Sequence, residues 1–99
     1  MYKSVIAGYS RSPFTMARKG DLIDVKPDIM LAEVIKNLVS KTKINPIEIE
    51  DVIVGCAFPE GEQGFNIGKL VTFLSGMDIK TSGMTVNRWC GSSCLLYTS

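Results

Sequence analysis

Residues 51–58, "DVIVGCAF", are the stretch on which the fold depends. The run contains three consecutive β-branched residues, Val52, Ile53 and Val54, and it is bounded by a charged residue and by a loop-forming segment. A short unbroken apolar run with this content favours a strand that is covered on both faces. Cys56 lies inside the run, so we expect it to be a core residue.

The segments on either side of this strand have helical periodicity. Residues 28–43 precede it, with Asp28 as the expected N-cap, and residues 65–77 follow it, with Gly76 as the expected terminator. Asn45 and Pro46 predict a single helical turn between the first helix and the strand. The apolar residues that recur at the spacing of one helix face are Leu31, Val34, Ile35, Leu38 and Val39 in the first helix and Ile67, Leu70, Val71 and Leu74 in the second.

Two further strands are predicted outside these helices. Residues 3–11, "KSVIAGYSR", are expected to form a short strand with Val5, Ile6 and Ala7 buried. Residues 83–90, "GMTVNRWC", are expected to form a strand that ends at the cysteine. The order strand, helix, strand, helix, strand predicts an α/β fold with a mostly parallel sheet and right-handed crossovers. The chain is expected to be one domain, or the front part of one.

Composition excludes several classes of function. The chain has 99 residues, of which 45% are hydrophobic and 21% charged, and its net charge of +1 is not clustered as nucleic-acid binding requires. No apolar run approaches the roughly 20 residues of a membrane span, and the first residues do not resemble a signal peptide. Three cysteines without a pairing scheme favour free thiols in a reducing compartment, so we expect a cytoplasmic protein. The sequence has no histidine, which excludes imidazole chemistry within this chain.

Cys90 is the candidate functional residue. It comes at the end of a predicted strand, where α/β proteins bind ligands, and Gly91 and Ser92 follow it at what is expected to be a helix start. Free backbone N–H groups at a helix start stabilise a nearby thiolate, and small neighbours let a carbonyl group approach. The alternative is that Cys90 is a small buried hydrophobe, which is the commoner role of an isolated cysteine. The spacing of Cys90 and Cys94 matches neither a zinc site nor a redox pair.

Four segments together resemble the N-terminal part of the thiolase family, the acetyl-CoA C-acyltransferases. They are "RSPF" (residues 11–14), "GDL" (20–22), "DVIVGCAFPEGEQGFNIGKL" (51–70) and "VNRWCGSS" (86–93). The resemblance covers residues 3–93, which it implies are an incomplete N-terminal domain of the layered thiolase fold. Residues 94–99, "CLLYTS", depart from the family pattern of a helix of small and apolar residues. We expect this tail to be non-native, the alternative being a genuine chain whose end has diverged.

The resemblance also implies a reaction. Cys90 matches the cysteine that attacks the 3-keto carbonyl of a 3-ketoacyl-CoA, so that acetyl-CoA leaves and an acyl-cysteine thioester remains for a second CoA. Coenzyme A is then a substrate, no cofactor is covalently bound, and the full-length enzyme is a homodimer or homotetramer. The sequence is more similar to the degradative branch, which acts in fatty-acid β-oxidation. No metal site and no nucleic-acid or membrane partner is implied.

The resemblance assigns supporting roles to other residues. Asn87 and Arg88 are expected to position the nucleophile, and Pro13 and Phe14 to shape the turn after the first strand. Gln63, Asn66 and Gly68 are expected to position the second helix near the dimer interface of the family.

One departure and three alternatives bear on the function. Family members supply a histidine and a second catalytic cysteine beyond the matched region, so we expect the 99-residue chain by itself to be inactive. The alternatives are a biosynthetic thiolase that forms acetoacetyl-CoA, another condensing enzyme of the ketoacyl-synthase type, and a non-catalytic lipid-carrier or interaction module. In the last of these Cys90 is only packed.

Overall fold

A parallel pair of strands lies at the centre of the molecule. The computed structural model describes residues 3–98, within which the sheet consists of β1 (Asp51–Gly55) and β2 (Ser82–Val86). Asp51 pairs with Ser82 and Gly55 with Val86, so the carboxyl ends of both strands meet at one edge. The backbone N–H of Cys56 donates to the carbonyl of Val86 at 2.9 Å and extends the ladder by one residue. The predicted α/β fold with parallel strands is confirmed.

Helices connect and cover these strands. The described elements, in chain order, are α1 (Pro27–Thr42), a 3₁₀ turn (Pro46–Glu48), β1, a second 3₁₀ turn (Gly61–Gln63), α2 (Ile67–Leu74), β2 and α3 (Ser92–Thr98). Helix α2 joins the two strands and packs against both, α1 packs against α2, and α3 packs against β1. The most buried apolar side chains are Ala32 on α1 and Ile67 and Val71 on α2. The core therefore lies between α1, α2 and the sheet.

The ends of α2 are set by local hydrogen bonds. Asn66 is the N-cap, and its side-chain oxygen accepts from the backbone N–H of Lys69. At the other end Gly76 has a φ of +74°, as the sequence predicts for a helix terminator. The N–H of Gly76 donates to Phe73 and that of Met77 to Thr72, which is the double hydrogen bond of a Schellman motif.

Two glycines allow α2 to lie directly on β2. A Cβ atom added at Gly68 would overlap the backbone of Met84, and one added at Gly83 would lie 2.5 Å from the carbonyl oxygen of Gly68. No side chain fits between the helix and the strand at this point. The backbones are therefore in direct contact, and the distance between helix and sheet is fixed here.

The start of α1 differs from the sequence prediction. The helix begins at Pro27 with Lys26 as N-cap, and no side chain caps it. Asp28 lies one residue inside, in the first turn, where its carboxylate oxygen accepts from the N–H of Ile29 at 2.8 Å. The prediction that Asp28 is the N-cap is wrong because Pro27, which needs no donor partner, takes the first helical position. The predicted Asn45 cap is confirmed, since its side chain accepts from Ile47.

The predicted strand over residues 3–11 is wrong. This segment has no regular secondary structure, and Val5 and Ile6 are 80% and 89% exposed rather than buried. Its contacts are with α1: the Ser10 hydroxyl donates to the side-chain oxygen of Asn37. Ala7 is exposed as well. A strand needs a neighbouring strand for its backbone groups, and a helix surface offers none.

The strand at residues 51–58 is also shorter and less covered than predicted. It ends at Gly55, and side chains alternate between the two faces of the sheet. Val52 and Val54 share a face with Gly83, on which α2 lies, and both are half-buried. Ile53, on the opposite face, is 42% exposed. Within residues 3–98 the sheet is thus covered mainly on one side.

Among residues 3–98, no helix combines the length and the apolar character that crossing a bilayer would take.

Replacing Gly68 with alanine is expected to lower the free energy of unfolding by about 3 kcal/mol, because the new methyl group overlaps strand backbone that cannot move aside. Urea unfolding followed by far-ultraviolet circular dichroism measures this change. Gly91→Ala is the matched control, since the nearest atom to its added Cβ is 3.4 Å away. Equal effects of the two substitutions would contradict the direct backbone contact.

Candidate active site

A tight turn joins β2 to α3, and Cys90 lies in it. The predicted strand over residues 83–90 is too long, because β2 ends at Val86. The carbonyl of Arg88 accepts from the N–H of Gly91 at 2.9 Å, which makes Trp89 and Cys90 the central residues of the turn. Helix α3 then begins at Ser92, two residues after Cys90.

The turn holds Trp89 in an unusual backbone conformation. Its φ is +49°, in the left-handed region that costs a bulky residue about 1–2 kcal/mol. The side-chain oxygen of Asn87 accepts from the N–H of Trp89 at 2.9 Å and stabilises this conformation. Asn87 thus acts on the residue that precedes Cys90, whereas the side chain of its neighbour Arg88 is exposed.

Cys90 is an exposed free thiol at the carboxyl end of the sheet. Gly55, the last residue of β1, lies against the start of α3, since a Cβ added there would be 3.0 Å from the carbonyl carbon of Ser92. The end of β1, the turn and the first residues of α3 are therefore close together. The thiol is accessible to a reactant from solvent in the described structure.

An aromatic pair links the loops that follow the two strands. The rings of Phe58, after β1, and Trp89, after β2, meet edge to face with centroids 5.6 Å apart and planes at 74°. The side-chain amide of Gln63 donates to the carbonyl of Phe58 at 3.0 Å and holds the first loop. Both rings are more than half exposed. The loops that follow the two strands are therefore in contact through the ring of the residue that precedes Cys90.

Two of the three residues predicted to position the second helix, Asn66 and Gly68, contact the strand. Asn66 donates from its side-chain nitrogen to the carbonyl of Gly83 at 2.8 Å, and its oxygen accepts from the Thr85 hydroxyl at 2.8 Å. The N–H of Gly68 donates to the same hydroxyl at 3.1 Å. Gln63 acts on the loop instead. The sequence does not indicate this role of Thr85, because a threonine in a strand carries no distinctive signal.

Other candidate residues lie apart from the turn. Cys56 is half-buried, lies just after β1 and lines a cavity of about 180 Å³ with Met30, Leu31 and Ile67, so it is less buried than the core residue that the sequence predicts. Phe14 is exposed under the guanidinium of Arg11, at 5.4 Å. The predicted turn at Pro13 and Phe14 is not formed, and the turns of this segment begin at Ala17.

Glu60 and Glu62 are exposed on the loop after β1, as expected for solvated side chains. Within residues 3–98, no three carboxylate or thiol side chains are close enough together to hold a metal ion. Cys94 lies on α3 and is exposed.

Comparison with known proteins identifies the family of the chain. A model of the thiolase N-terminal domain matches residues 4–95. Similar curated proteins include the 3-ketoacyl-CoA thiolase of Bacillus subtilis, 37% identical over 92 residues, which are 93% of this chain and 24% of the relative. The enzyme of Colwellia psychrerythraea is 39% identical over 94 residues, which are 94% of this chain and 24% of the relative. The enzyme of Psychrobacter arcticus is 39% identical over 89 residues, which are 90% of this chain and 23% of the relative.

The fold and the comparisons define the class together. The chain is an α/β protein with an exposed cysteine in the turn between a parallel strand and a helix. It belongs to the thiolase family, whose N-terminal domain model it matches over most of its length. The chain spans about a quarter of the length of the curated relatives it matches.

Replacing Asn87 with alanine is expected to loosen the turn by about 1 kcal/mol, because the N–H of Trp89 loses its acceptor. Trp89 is the one tryptophan of the 99-residue sequence, so near-ultraviolet circular dichroism should show its indole signal weaken. Asn87→Asp, which keeps an oxygen at that position, is the control and should retain the signal. If both variants behave alike, the side-chain oxygen does not hold the turn.

Proposed function

We propose that this chain supplies the nucleophilic cysteine of a thiolase-type acyltransferase that acts on 3-ketoacyl-CoA. The observation that supports the proposal is the placement of Cys90, an exposed thiol in a constrained turn where both parallel strands end. The relatives named above are 3-ketoacyl-CoA thiolases, which supports the same substrate class.

The reaction proposed for Cys90 has two half-reactions. The thiolate sulfur forms a bond to C3 of the 3-ketoacyl-CoA, and the C2–C3 bond breaks. The electron pair of that bond leaves with acetyl-CoA, which takes up a proton, and the acyl group remains on Cys90 as a thioester. The thiolate of a second CoA then attacks the thioester carbonyl and releases Cys90 as a thiolate, with acyl-CoA as product. This cleavage is the degradative direction that we propose for fatty-acid β-oxidation.

The residues of this chain orient the sulfur in that scheme. The Asn87 side chain and the hydrogen bonds of the turn hold Cys90 at the end of the sheet, and Phe58 and Trp89 provide an apolar surface next to it. The proton transfers need an acid and a base, and the sequence has no histidine to supply either. Turnover therefore requires groups that this 99-residue chain does not contain, and CoA binding and oligomeric assembly belong to the full enzyme in this proposal.

The nucleophile is tested by covalent labelling of the intact chain. Treatment with iodoacetamide at neutral pH, followed by peptide mass spectrometry, should modify Cys90 several-fold faster than the half-buried Cys56 and also faster than Cys94, which is exposed. Incubation with acetyl-CoA should place an acetyl group on Cys90, because thiol–thioester exchange is the reverse of the last step. Thiolysis of acetoacetyl-CoA by the same sample should not exceed the buffer rate.

Cys90→Ser is the control variant, in which the adduct should vanish while labelling of Cys56 is unchanged. A Cys90 that reacts no faster than Cys94 and accepts no acetyl group would favour the non-catalytic module, in which the cysteine only packs. Catalysed thiolysis that depends on Cys90 would show that the chain is active without a histidine.

We also propose that residues 94–99 are not native to the protein. The support is that "CLLYTS" departs from the family pattern of a helix of small and apolar residues, and that the match to the family domain ends inside it, at residue 95. Resequencing the source DNA across the codons for residues 92–99 tests this proposal. We expect the codons after Ser93 to encode residues other than "CLLYTS". The same six codons in independent reads would overturn it.

A further inference from the structure

Ser92 holds the turn around Cys90 through a hydroxyl group that makes two hydrogen bonds. The side chain is 4% exposed. Its Oγ accepts from the backbone N–H of Arg88 at 2.9 Å and donates to the carbonyl of Trp89 at 2.7 Å. One hydroxyl thus satisfies a donor and an acceptor on the two residues that precede the nucleophile.

These hydrogen bonds join the residue two positions after Cys90 to the two residues before it. The N–H of Ser92 also donates to the Trp89 carbonyl, at 3.2 Å, so that residue is held from both the backbone and the side chain of Ser92. Asn87 holds the N–H of Trp89 on the other side. The left-handed conformation of Trp89 is unfavourable by itself, so it persists only while these partners fix it. The direction in which Cys90 leaves the backbone follows from that conformation.

The burial of Ser92 explains why the hydroxyl matters. Ser92 is 4% exposed and its hydrogen bond from the N–H of Arg88 is part-buried, so removing Oγ takes away the acceptor of that N–H and weakens the turn. The neighbouring Ser93 is exposed, which makes it a matched position for comparison.

We infer that Ser92 is a positioning residue for the nucleophile: its hydroxyl fixes Trp89 in the left-handed region and thereby aims the Cys90 thiol. This inference rests on the proposed function of Cys90. It also makes a claim about the turn that is independent of chemistry, since the conformation of Trp89 depends on the same hydroxyl.

The test compares Ser92→Ala, Ser92→Thr and Ser93→Ala in the intact chain. Ser92→Ala should slow the alkylation and acetylation of Cys90 by about tenfold. The reason is that losing one such hydrogen bond lowers the population of the left-handed Trp89 conformation by about that factor. Labelling of Cys56 in the same molecules should not change. Ser92→Thr, which keeps the hydroxyl, should restore most of the rate, and Ser93→Ala should leave it unaltered. The near-ultraviolet signal of Trp89 should follow the same order.

A second background separates positioning from a general loss of structure. In Trp89→Gly the residue before Cys90 adopts a positive φ without strain, so adding Ser92→Ala should slow labelling far less than it does with tryptophan present. If Ser92→Ala slows the labelling of Cys90 just as much in the Trp89→Gly background, and also reduces the far-ultraviolet signal, then Ser92 merely stabilises the fold. That result would overturn the inference.

The readouts also distinguish the two proposals. Suppose that Ser92→Ala weakens the Trp89 signal, but Cys90 of the wild type is neither labelled fast nor acetylated. This result would support the role of Ser92 in the turn and refute the catalytic role of Cys90. Suppose instead that Cys90 is labelled selectively in the wild type, and that Ser92→Ala changes neither its labelling rate nor the Trp89 signal. This result would refute the positioning role of Ser92 and leave the catalytic role of Cys90 in place.

Discussion

The direct contact between the backbones of α2 and β2 is the constraint on which the rest of the structure depends. Gly68 and Gly83 leave no room for a Cβ atom on either side, so the helix lies on the strand at one fixed distance. Asn66 and Thr85 add hydrogen bonds that fix the helix along the strand direction. Because β2 pairs in register with β1, both strands end at the same level of the sheet.

The position of Cys90 follows from that edge of the sheet. Both strands end at the same level, and the chain then turns within a few residues into α3, whose start lies against Gly55. The turn is stabilised by side chains on both sides of the cysteine, Asn87 before it and Ser92 after it. Because the strained Trp89 is held by these side chains, the turn, rather than Cys90 itself, determines the orientation of the exposed thiol.

Local sequence signals predicted several elements correctly. The periodicity of residues 67–74, the Asn45 cap and the terminating Gly76 each depend on interactions within a few residues, which the sequence shows directly. The predictions that failed required partners distant in sequence. Residues 3–11 have the composition of a strand, yet in the described structure they lie along α1 instead of beside β1.

The sequence by itself determined the two long helices and the two strands between residues 27 and 86, the family and the identity of the candidate nucleophile. These follow from periodicity and from motifs such as "VNRWCGSS", which are properties of neighbouring residues. Only the tertiary structure decided the end of β2 at Val86, the left-handed Trp89 and the two hydrogen bonds of Ser92. A serine hydroxyl has no fixed partner in a sequence; which donor and acceptor it reaches depends on how the packed sheet and helix bring the backbone together.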